Sequence, residues 1–116
     1  MAVAYFRKGP FQGAVIFCWD LVAGETGTAA LVAPWADKTV QIAGTFSTGA
    51  VQLEGALDPD TPVYSILRDI PGNAISGKTA LYCEAIQQHV TLIRPVATTI
   101  TAVTVRLICM AARMRA

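Results

Sequence analysis

Apolar and polar side chains alternate along most of this chain, and turn residues interrupt the alternation at short intervals. The pattern is clearest in residues 14–21, 38–46 and 100–109. Successive side chains of a strand point to opposite faces, so a period of two buries one face and leaves the other free. Helix-forming residues are concentrated in 110–116, a stretch too short to form a stable helix alone. The pattern therefore predicts an all-β chain.

Glycine and proline connections divide the chain into about eight or nine short strands. Turns are predicted at 24–27, 47–49, 57–62 and 69–73. Turn signals about 8–12 residues apart are typical of a β-sandwich or a jelly-roll-like fold. Because only the short loop Ser47-Thr48-Gly49 separates two alternating segments, we expect these two strands to form a hairpin.

One face of each long strand supplies the expected core. The inward residues are Val15, Phe17, Trp19, Leu21, Val40, Ile42, Val51, Leu53, Val103, Val105 and Leu107. All three cysteines (Cys18, Cys83 and Cys109) lie within apolar runs. Wide spacing within such runs predicts buried free thiols rather than a disulfide framework.

The composition is short of charge for a small domain. Apolar residues make up 53% of the 116 residues and charged residues 15%, against about 25% charged in an ordinary soluble domain. A chain of this length is expected to form one domain, residues 1–116, with a core that needs no metal or disulfide. Scarce charge further predicts that part of the apolar surface is buried against partners.

The balance of charge disfavours nucleic acid as a partner. Nine lysines and arginines are offset by eight acidic residues, for a net charge of +1, and the basic residues are scattered. Nucleic-acid binders usually cluster a basic excess on one face. No segment reaches the length of a membrane span. Residues 1–10 lack the pattern of a signal peptide, so synthesis in a cytoplasm is expected.

The sequence offers no constellation that we would assign to catalysis. His89 has no nucleophile or carboxylate at a typical triad or metal-site spacing, and a structural histidine is expected. Asp58 and Asp60 flank a proline and are expected to form a turn rather than a calcium loop. Asp20 and Glu84 are expected to face solvent or a partner. We therefore predict no enzyme, no catalytic residue, no metal site and no cofactor.

The candidate partner contacts lie near the two ends of the chain and on one connection. They are Tyr5, Phe6, Arg7, Phe11, Trp35, Met110 and Arg113. Residues 1–11 and 110–116 are predicted as possible terminal arms, although the first segment fits an edge strand equally well. Trp35 lies on a connection, where it either anchors an interface or closes one end of the sandwich.

Several segments resemble a family of small tailed-phage virion proteins. Residues 36–46, Ala-Asp-Lys-Thr-Val-Gln-Ile-Ala-Gly-Thr-Phe, are similar to that family's D-K-T-V-Q-V-x-G-T-F segment. Residues 51–58, 67–75 and 90–95 follow in the family's order, the last two resembling L-x-D-P-x-G-N-A-L and R-Y-I-R-P. The likeness covers roughly residues 13 to 108. The chain departs from the family at Leu57-Asp58-Pro59-Asp60, where the family has an Asn-Asp-Gly turn, and at Tyr64, where the family has tryptophan.

The resemblance implies a capsid decoration or cement protein on the outer surface of the head, made in the bacterial host's cytoplasm. Its partners would be the major capsid protein and a second or third copy of itself. A tail or head–tail joining component is an alternative. The same strand-turn-strand pattern is also similar to discoidin-type carbohydrate-binding modules, so glycan binding is a further alternative. The low content of charged residues and the missing tryptophan argue against glycan binding.

Overall fold

The computed structural model describes the backbone of residues 5–8 and both backbone and side chains of residues 14–33 and 35–110. This part of the chain contains nine β-strands and no helix. The strands are β1 (Tyr5–Lys8), β2 (Ala14–Val22), β3 (Ala30–Leu31), β4 (Asp37–Thr45), β5 (Val51–Ala56), β6 (Ser65–Ile66), β7 (Tyr82–Ala85), β8 (Leu92–Ala97) and β9 (Ala102–Met110). Accordingly, the described residues include no helix that could cross a membrane.

The strands form two antiparallel sheets that pack face to face. One sheet has five strands in the order β1-β2-β9-β4-β7, and the other has four in the order β3-β8-β5-β6. In the first sheet, β9 pairs along its whole length with β2 on one side and with β4 on the other. The predicted all-β, jelly-roll-like sandwich of eight or nine strands is confirmed.

The core between the sheets consists of the inward residues that the alternation indicates. All eleven expected side chains belong to one buried cluster, which also contains Leu67, Ile75, Ile93 and Ile100. Trp19 is fully buried, and its indole Nε1 donates a hydrogen bond to the Thr28 carbonyl oxygen at 2.8 Å. Bulky side chains from both sheets thus fill the interior.

The predicted hairpin between the fourth and fifth strands is wrong. β4 pairs with β9 and β7, whereas β5 belongs to the other sheet and pairs with β8 and β6. The 46–50 connection is therefore an arch between sheets, with Phe46 buried at the crossing and Ser47 at a φ of 53°. Alternation shows which side of a strand is buried but not which strand lies beside it. A short loop can connect two strands either as a hairpin within one sheet or as an arch between two sheets.

Over the described residues, the segments near both chain ends are paired strands rather than free arms. Tyr5–Lys8 forms the edge strand β1, with Tyr5 opposite Cys18 and Lys8 opposite Val15. Met110 is the last residue of β9 and lies opposite both Ala14 and Asp37. The second predicted arm therefore does not begin at residue 110, because hydrogen bonding to both neighbouring strands continues to that position. Residues 111–116 lie outside the described residues.

Candidate interaction surfaces

The described side chains do not assemble reactive groups around a cleft. Within residues 14–33 and 35–110, no three His, Cys, Asp or Glu side chains come together as a metal site. His89 is exposed, as expected. Cys109 is buried, and burial raises the pKa of its thiol to about 12, which keeps it protonated and unreactive. Cys18 is also buried, but the expectation of burial is wrong for Cys83, which is exposed because β7 is an edge strand.

Lys38 is a buried charge that the sequence analysis missed. Its side chain is 4% exposed, and its Nζ donates a hydrogen bond to the Trp35 carbonyl oxygen at 2.9 Å. Desolvation by burial lowers the pKa of this amine, while nearby Cys109 and Asp37 act in the opposite direction. The only available signal was its position, two residues before Val40 on the inward face of β4.

Asp69 and Tyr82 fasten the long β6–β7 connection to the five-stranded sheet. The Tyr82 hydroxyl donates to Asp69 Oδ2 at 2.7 Å, and Asp69 Oδ1 accepts from the Asn73 amide at 2.8 Å. The Tyr82 hydrogen bond is the main cause that lowers the Asp69 pKa. Burial, followed by the same hydrogen bond, raises the Tyr82 pKa above its ordinary value. This pair stabilises the fold rather than forming a site.

The outward side of the four-stranded sheet carries a mixed apolar and polar surface. We call it the four-strand face, and its residues are Leu31, Gln52, Glu54, Tyr64, Ile66, Leu92, Arg94 and Val96. The strand register brings them together, because residues directly opposite each other share a face. Leu31 lies opposite Leu92, Arg94 opposite Glu54, and Glu54 opposite Ile66.

A closed polar network occupies the middle of the four-strand face. Arg94 forms an ion pair with Glu54, with Nη2 and Oε1 3.0 Å apart, and its Nε donates to the same oxygen at 3.0 Å. Gln52 Nε2 donates to the other Glu54 oxygen at 2.7 Å. The Arg94 guanidinium lies 3.7 Å from the centroid of the Tyr64 ring. The charges cancel within the network, so the face presents little net charge.

Exposed apolar side chains border this network. Leu31 is 55% exposed and Ile66 is 41% exposed. Leu57 and Val63, on the adjoining β5–β6 connection, are 70% and 83% exposed and line a shallow depression of 220 Å³. Asp58 holds this connection in the expected turn, because its carboxylate accepts from the Asp60 amide and the Thr61 hydroxyl.

The outward side of the five-stranded sheet forms a second surface. We call it the five-strand face, and its residues are Ile16, Asp20, Thr39, Gln41, Cys83, Thr104, Arg106 and Ile108. A depression of 230 Å³ lies within it, lined by Ile16, Thr39, Gln41, Cys83, Arg106 and Ile108. Thr104 Oγ1 donates to Asp20 Oδ1 at 2.9 Å. Asp20 is exposed, whereas Glu84 is partly buried on the other side of its sheet.

The predicted partner contacts fall only partly within the described residues. Tyr5, Phe6 and Arg7 belong to β1, and Phe11 and Arg113 lie outside the described residues. Trp35 is half-buried and packs against the core. It lies at the same end as Met110, since the Ala36 amide donates to the Met110 carbonyl oxygen at 3.0 Å.

These two sheets and their filled interior define a jelly-roll-like β-sandwich. No protein-family model matches the sequence, and no curated protein matches it. Among solved structures, the SPBc2 prophage-derived protein YomS is similar with a TM-score of 0.60 and 11% identity over 90% of this chain and 100% of that one. A cupin domain from Bordetella pertussis Tohama I is similar with a TM-score of 0.51 and 14% identity over 96% and 94%.

An oxalate oxidase is also similar, with a TM-score of 0.52 and 10% identity, but the match covers 85% of this chain and only 42% of that one. At such identities the likeness establishes the fold alone.

Proposed function

We propose that this protein is a non-catalytic structural component of a phage virion that decorates the head shell by docking its four-strand face on the shell protein. One observation supports the four-strand face as the docking surface. Leu31 and Ile66 expose apolar area beside a polar network whose charges are already paired, and Leu57 and Val63 are exposed on the adjoining β5–β6 connection. A partner can cover such a surface without stranding an unpaired charge.

Two lines support a phage virion as the setting. Residues 36–46 and the three later segments resemble tailed-phage virion proteins in order and spacing. The fold is also shared with a prophage-derived protein. We place the protein on the outer head surface, with the major capsid protein as its main partner. Attachment to the tail is the alternative, and the tests below distinguish it from binding to the head.

The apolar side chains supply enough free energy for docking on a repeated lattice. Burying a leucine, valine or isoleucine fully stabilises a complex by about 1.5–3 kcal/mol. Much of this gain offsets the entropy lost on association, so one copy binds weakly or moderately. Many copies on a symmetric shell would each brace neighbouring subunits, and their contributions accumulate.

The aromatic side chains of residues 14–33 and 35–110 favour a protein partner over a glycan. A sugar platform presents an exposed ring face, and the Tyr64 ring is covered by Arg94. Trp19 is buried and Trp35 is half-buried against the core. Protein contact therefore has the stronger support.

The test compares two charge insertions at equally exposed apolar positions. Leu31→Glu changes the four-strand face, and Ile70→Glu changes the β6–β7 connection, where the side chain is 58% exposed against 55% for Leu31. Each variant and the unchanged protein are mixed with undecorated shells, and bound protein is measured after sedimentation. We expect saturable binding, weakened by Leu31→Glu at least about tenfold, which is about 1.4 kcal/mol, and unchanged by Ile70→Glu.

Equal binding by all three proteins would contradict docking through the four-strand face. No binding of the unchanged protein to shells, with binding to isolated tails or to a glycan array, would contradict the decoration role itself. Contact through the terminal segments, including Phe11 and Arg113, stays a prediction.

A further inference from the structure

The four-stranded sheet ends at β6, whose outer backbone groups are unpaired among the described residues. The Leu67 amide donates to the Leu53 carbonyl oxygen at 3.0 Å. In an antiparallel pair, residues that exchange hydrogen bonds alternate with residues that direct theirs outward. Ser65 and Leu67 therefore bond to β5, whereas Ile66 directs its amide and carbonyl to the open edge. No group within residues 14–33 and 35–110 forms a hydrogen bond with the Ile66 backbone.

Tyr64, two residues earlier, extends this open edge. Its ring lies against Arg94 on the four-strand face, the side that also carries Ile66. Its backbone amide and carbonyl likewise have no hydrogen-bond partner within the part of the chain that the structure describes. Tyr64 and Ile66 thus offer two donors and two acceptors in a row. Another extended backbone satisfies such a row, because a strand repeats its donors and acceptors at the same spacing.

The 220 Å³ depression lies beside this edge, on the side away from the four-strand face. Uncharged side chains line most of it, namely Leu57, Thr61, Val63, Ser65 and Val90. Ser65 and Ile66 point to opposite sides of β6, because successive side chains of a strand alternate. The charged lining residue is Asp58, whose carboxylate already accepts from the Asp60 amide and the Thr61 hydroxyl. The depression therefore suits an uncharged, aliphatic side chain.

The open edge and the depression together match the way in which a sheet binds an extended peptide. Main-chain hydrogen bonds hold the added strand, and pockets receive its alternate side chains. A strand beside β6 would place one side chain in the depression and the next against the exposed Ile66. We infer that β6 receives an extended segment of the shell protein, with uncharged aliphatic side chains, as a fifth strand of the four-stranded sheet. This inference rests on the proposed function, because it names the part of the shell protein that binds beside the four-strand face.

A second copy of this chain suits the edge less well than a segment of another protein. Two β6 strands that pair through both Tyr64 and Ile66 would place Ser65 opposite Ser65 of the other copy. Serine brings no aliphatic side chain to the depression, so Leu57 and Val63 would stay exposed. A segment of the shell protein is free of this restriction, since the residue that it places in the depression is its own.

A proline substitution tests the edge while leaving the hydrogen bonds within the fold in place. Ile66→Pro removes the outward amide hydrogen, and proline is tolerated in an edge strand where that amide faces solvent. Ile66→Ala is the matched control, because it loses the isoleucine side chain but keeps the amide. Each variant is mixed with undecorated shells, and bound protein is measured after sedimentation. We expect Ile66→Pro to bind at least about fivefold more weakly than Ile66→Ala, because a carbonyl of the shell segment loses its donor.

Hydrogen exchange of the unchanged protein gives a readout that does not require the proline variant to fold. Without shells, the Tyr64 and Ile66 amides should exchange rapidly, whereas the Ser65 amide is protected by its pairing with Gly55. On undecorated shells that have bound the protein, mass spectrometry of proteolytic fragments should show about two additional protected amides within residues 63–67. The turn at residues 69–73 is the control region, and its exchange should not change.

The outcomes separate this inference from the proposed function. Equal shell binding by Ile66→Pro and Ile66→Ala, or unchanged exchange of residues 63–67 in shell-bound protein, would overturn the added strand and leave docking in place. Failure of the unchanged protein to bind shells would overturn both. Protection of residues 63–67 that rises with protein concentration in the absence of shells would assign the edge to a second copy, against the inference.

Discussion

Lys38 and Asp69 are the buried charged side chains of the described residues, and each is held by a specific hydrogen bond. A buried polar group is costly mainly when its partner is removed. For Asp69 that partner is the Tyr82 hydroxyl, which links the turn at residues 69–73 to β7. The stability of the β6–β7 connection should thus depend on one oxygen atom.

Removing that oxygen gives a test at the scale of one residue. Tyr82→Phe should lower the melting temperature by several degrees at neutral pH, because the Asp69 carboxylate loses its side-chain donor. Tyr64→Phe is the matched control. Its hydroxyl has no hydrogen-bond partner among the described residues, and its ring still packs against Arg94. Thermal unfolding followed by circular dichroism measures both, and equal shifts would contradict the prediction.

The effect of Tyr82→Phe should also depend on pH. The Asp69 pKa lies below 3.8, so its contribution to stability is complete above pH 3.8 and is lost as the pH falls through the lowered value. The Tyr82 pKa lies above 10.0, so its contribution is complete below pH 10.0 and is lost at higher pH. The stability difference between the two proteins should therefore be largest between these limits. An equal difference in acid, neutral and alkaline buffers would contradict this assignment.

At the scale of elements, the arch from β4 to β5 determines which strands become neighbours. Gly49 lies where the arch crosses the β8–β9 connection. A Cβ atom there would come within 2.6 Å of the Ile100 amide nitrogen and 2.7 Å of the Thr99 carbonyl oxygen. Because both are backbone atoms, they cannot move aside without shifting the neighbouring strands. This close approach, rather than the backbone flexibility of glycine, explains why residue 49 is a glycine.

Alanine substitutions separate close approach from backbone conformation. Gly49→Ala should lower the free energy of unfolding by up to about 3 kcal/mol, because the new methyl group overpacks the crossing. Gly77→Ala adds a methyl group in open space at a φ of +64° and should cost only about 1 kcal/mol. Urea unfolding measures both losses. Similar losses would show that the arch tolerates displacement.

Periodicity predicted the buried faces well but not the lateral neighbours. Val40 and Ile42 were placed correctly because burial of one side follows from alternation alone. The Glu54–Arg94 pair joins residues 40 positions apart, and it can be predicted only when β8 is known to lie beside β5. Cys83 was misplaced for the same reason, since its apolar neighbours do not reveal an edge strand. The candidate surfaces thus depend on long-range pairing that local patterns do not encode.

At the scale of the whole molecule, charge is both scarce and balanced. Nine basic and eight acidic residues leave a net charge of +1, and the four-strand face contains a paired Arg94 and Glu54. Association driven by apolar area depends little on ionic strength, whereas phosphate binding depends on it steeply.

Shell binding should therefore resist salt. Raising the salt concentration from about 50 mM to about 500 mM should change the dissociation constant for shells by less than about threefold, because few counterions are released. The same titration with duplex DNA in place of shells is the control and should show no saturable binding at either concentration. A steep loss of shell affinity with salt would point to a charged contact instead.

The central position of β9 has a consequence for biosynthesis. Among the described strands β9 is synthesised last, yet it separates β2 from β4 and hydrogen-bonds to both. While residues 102–110 are still within the ribosome, the emerged part of the larger sheet is two fragments with open, apolar edges, the kind of surface that pairs readily with other nascent chains. Emergence of β9, the last of the described strands, from the ribosome is consequently the event that commits the polypeptide to its native topology.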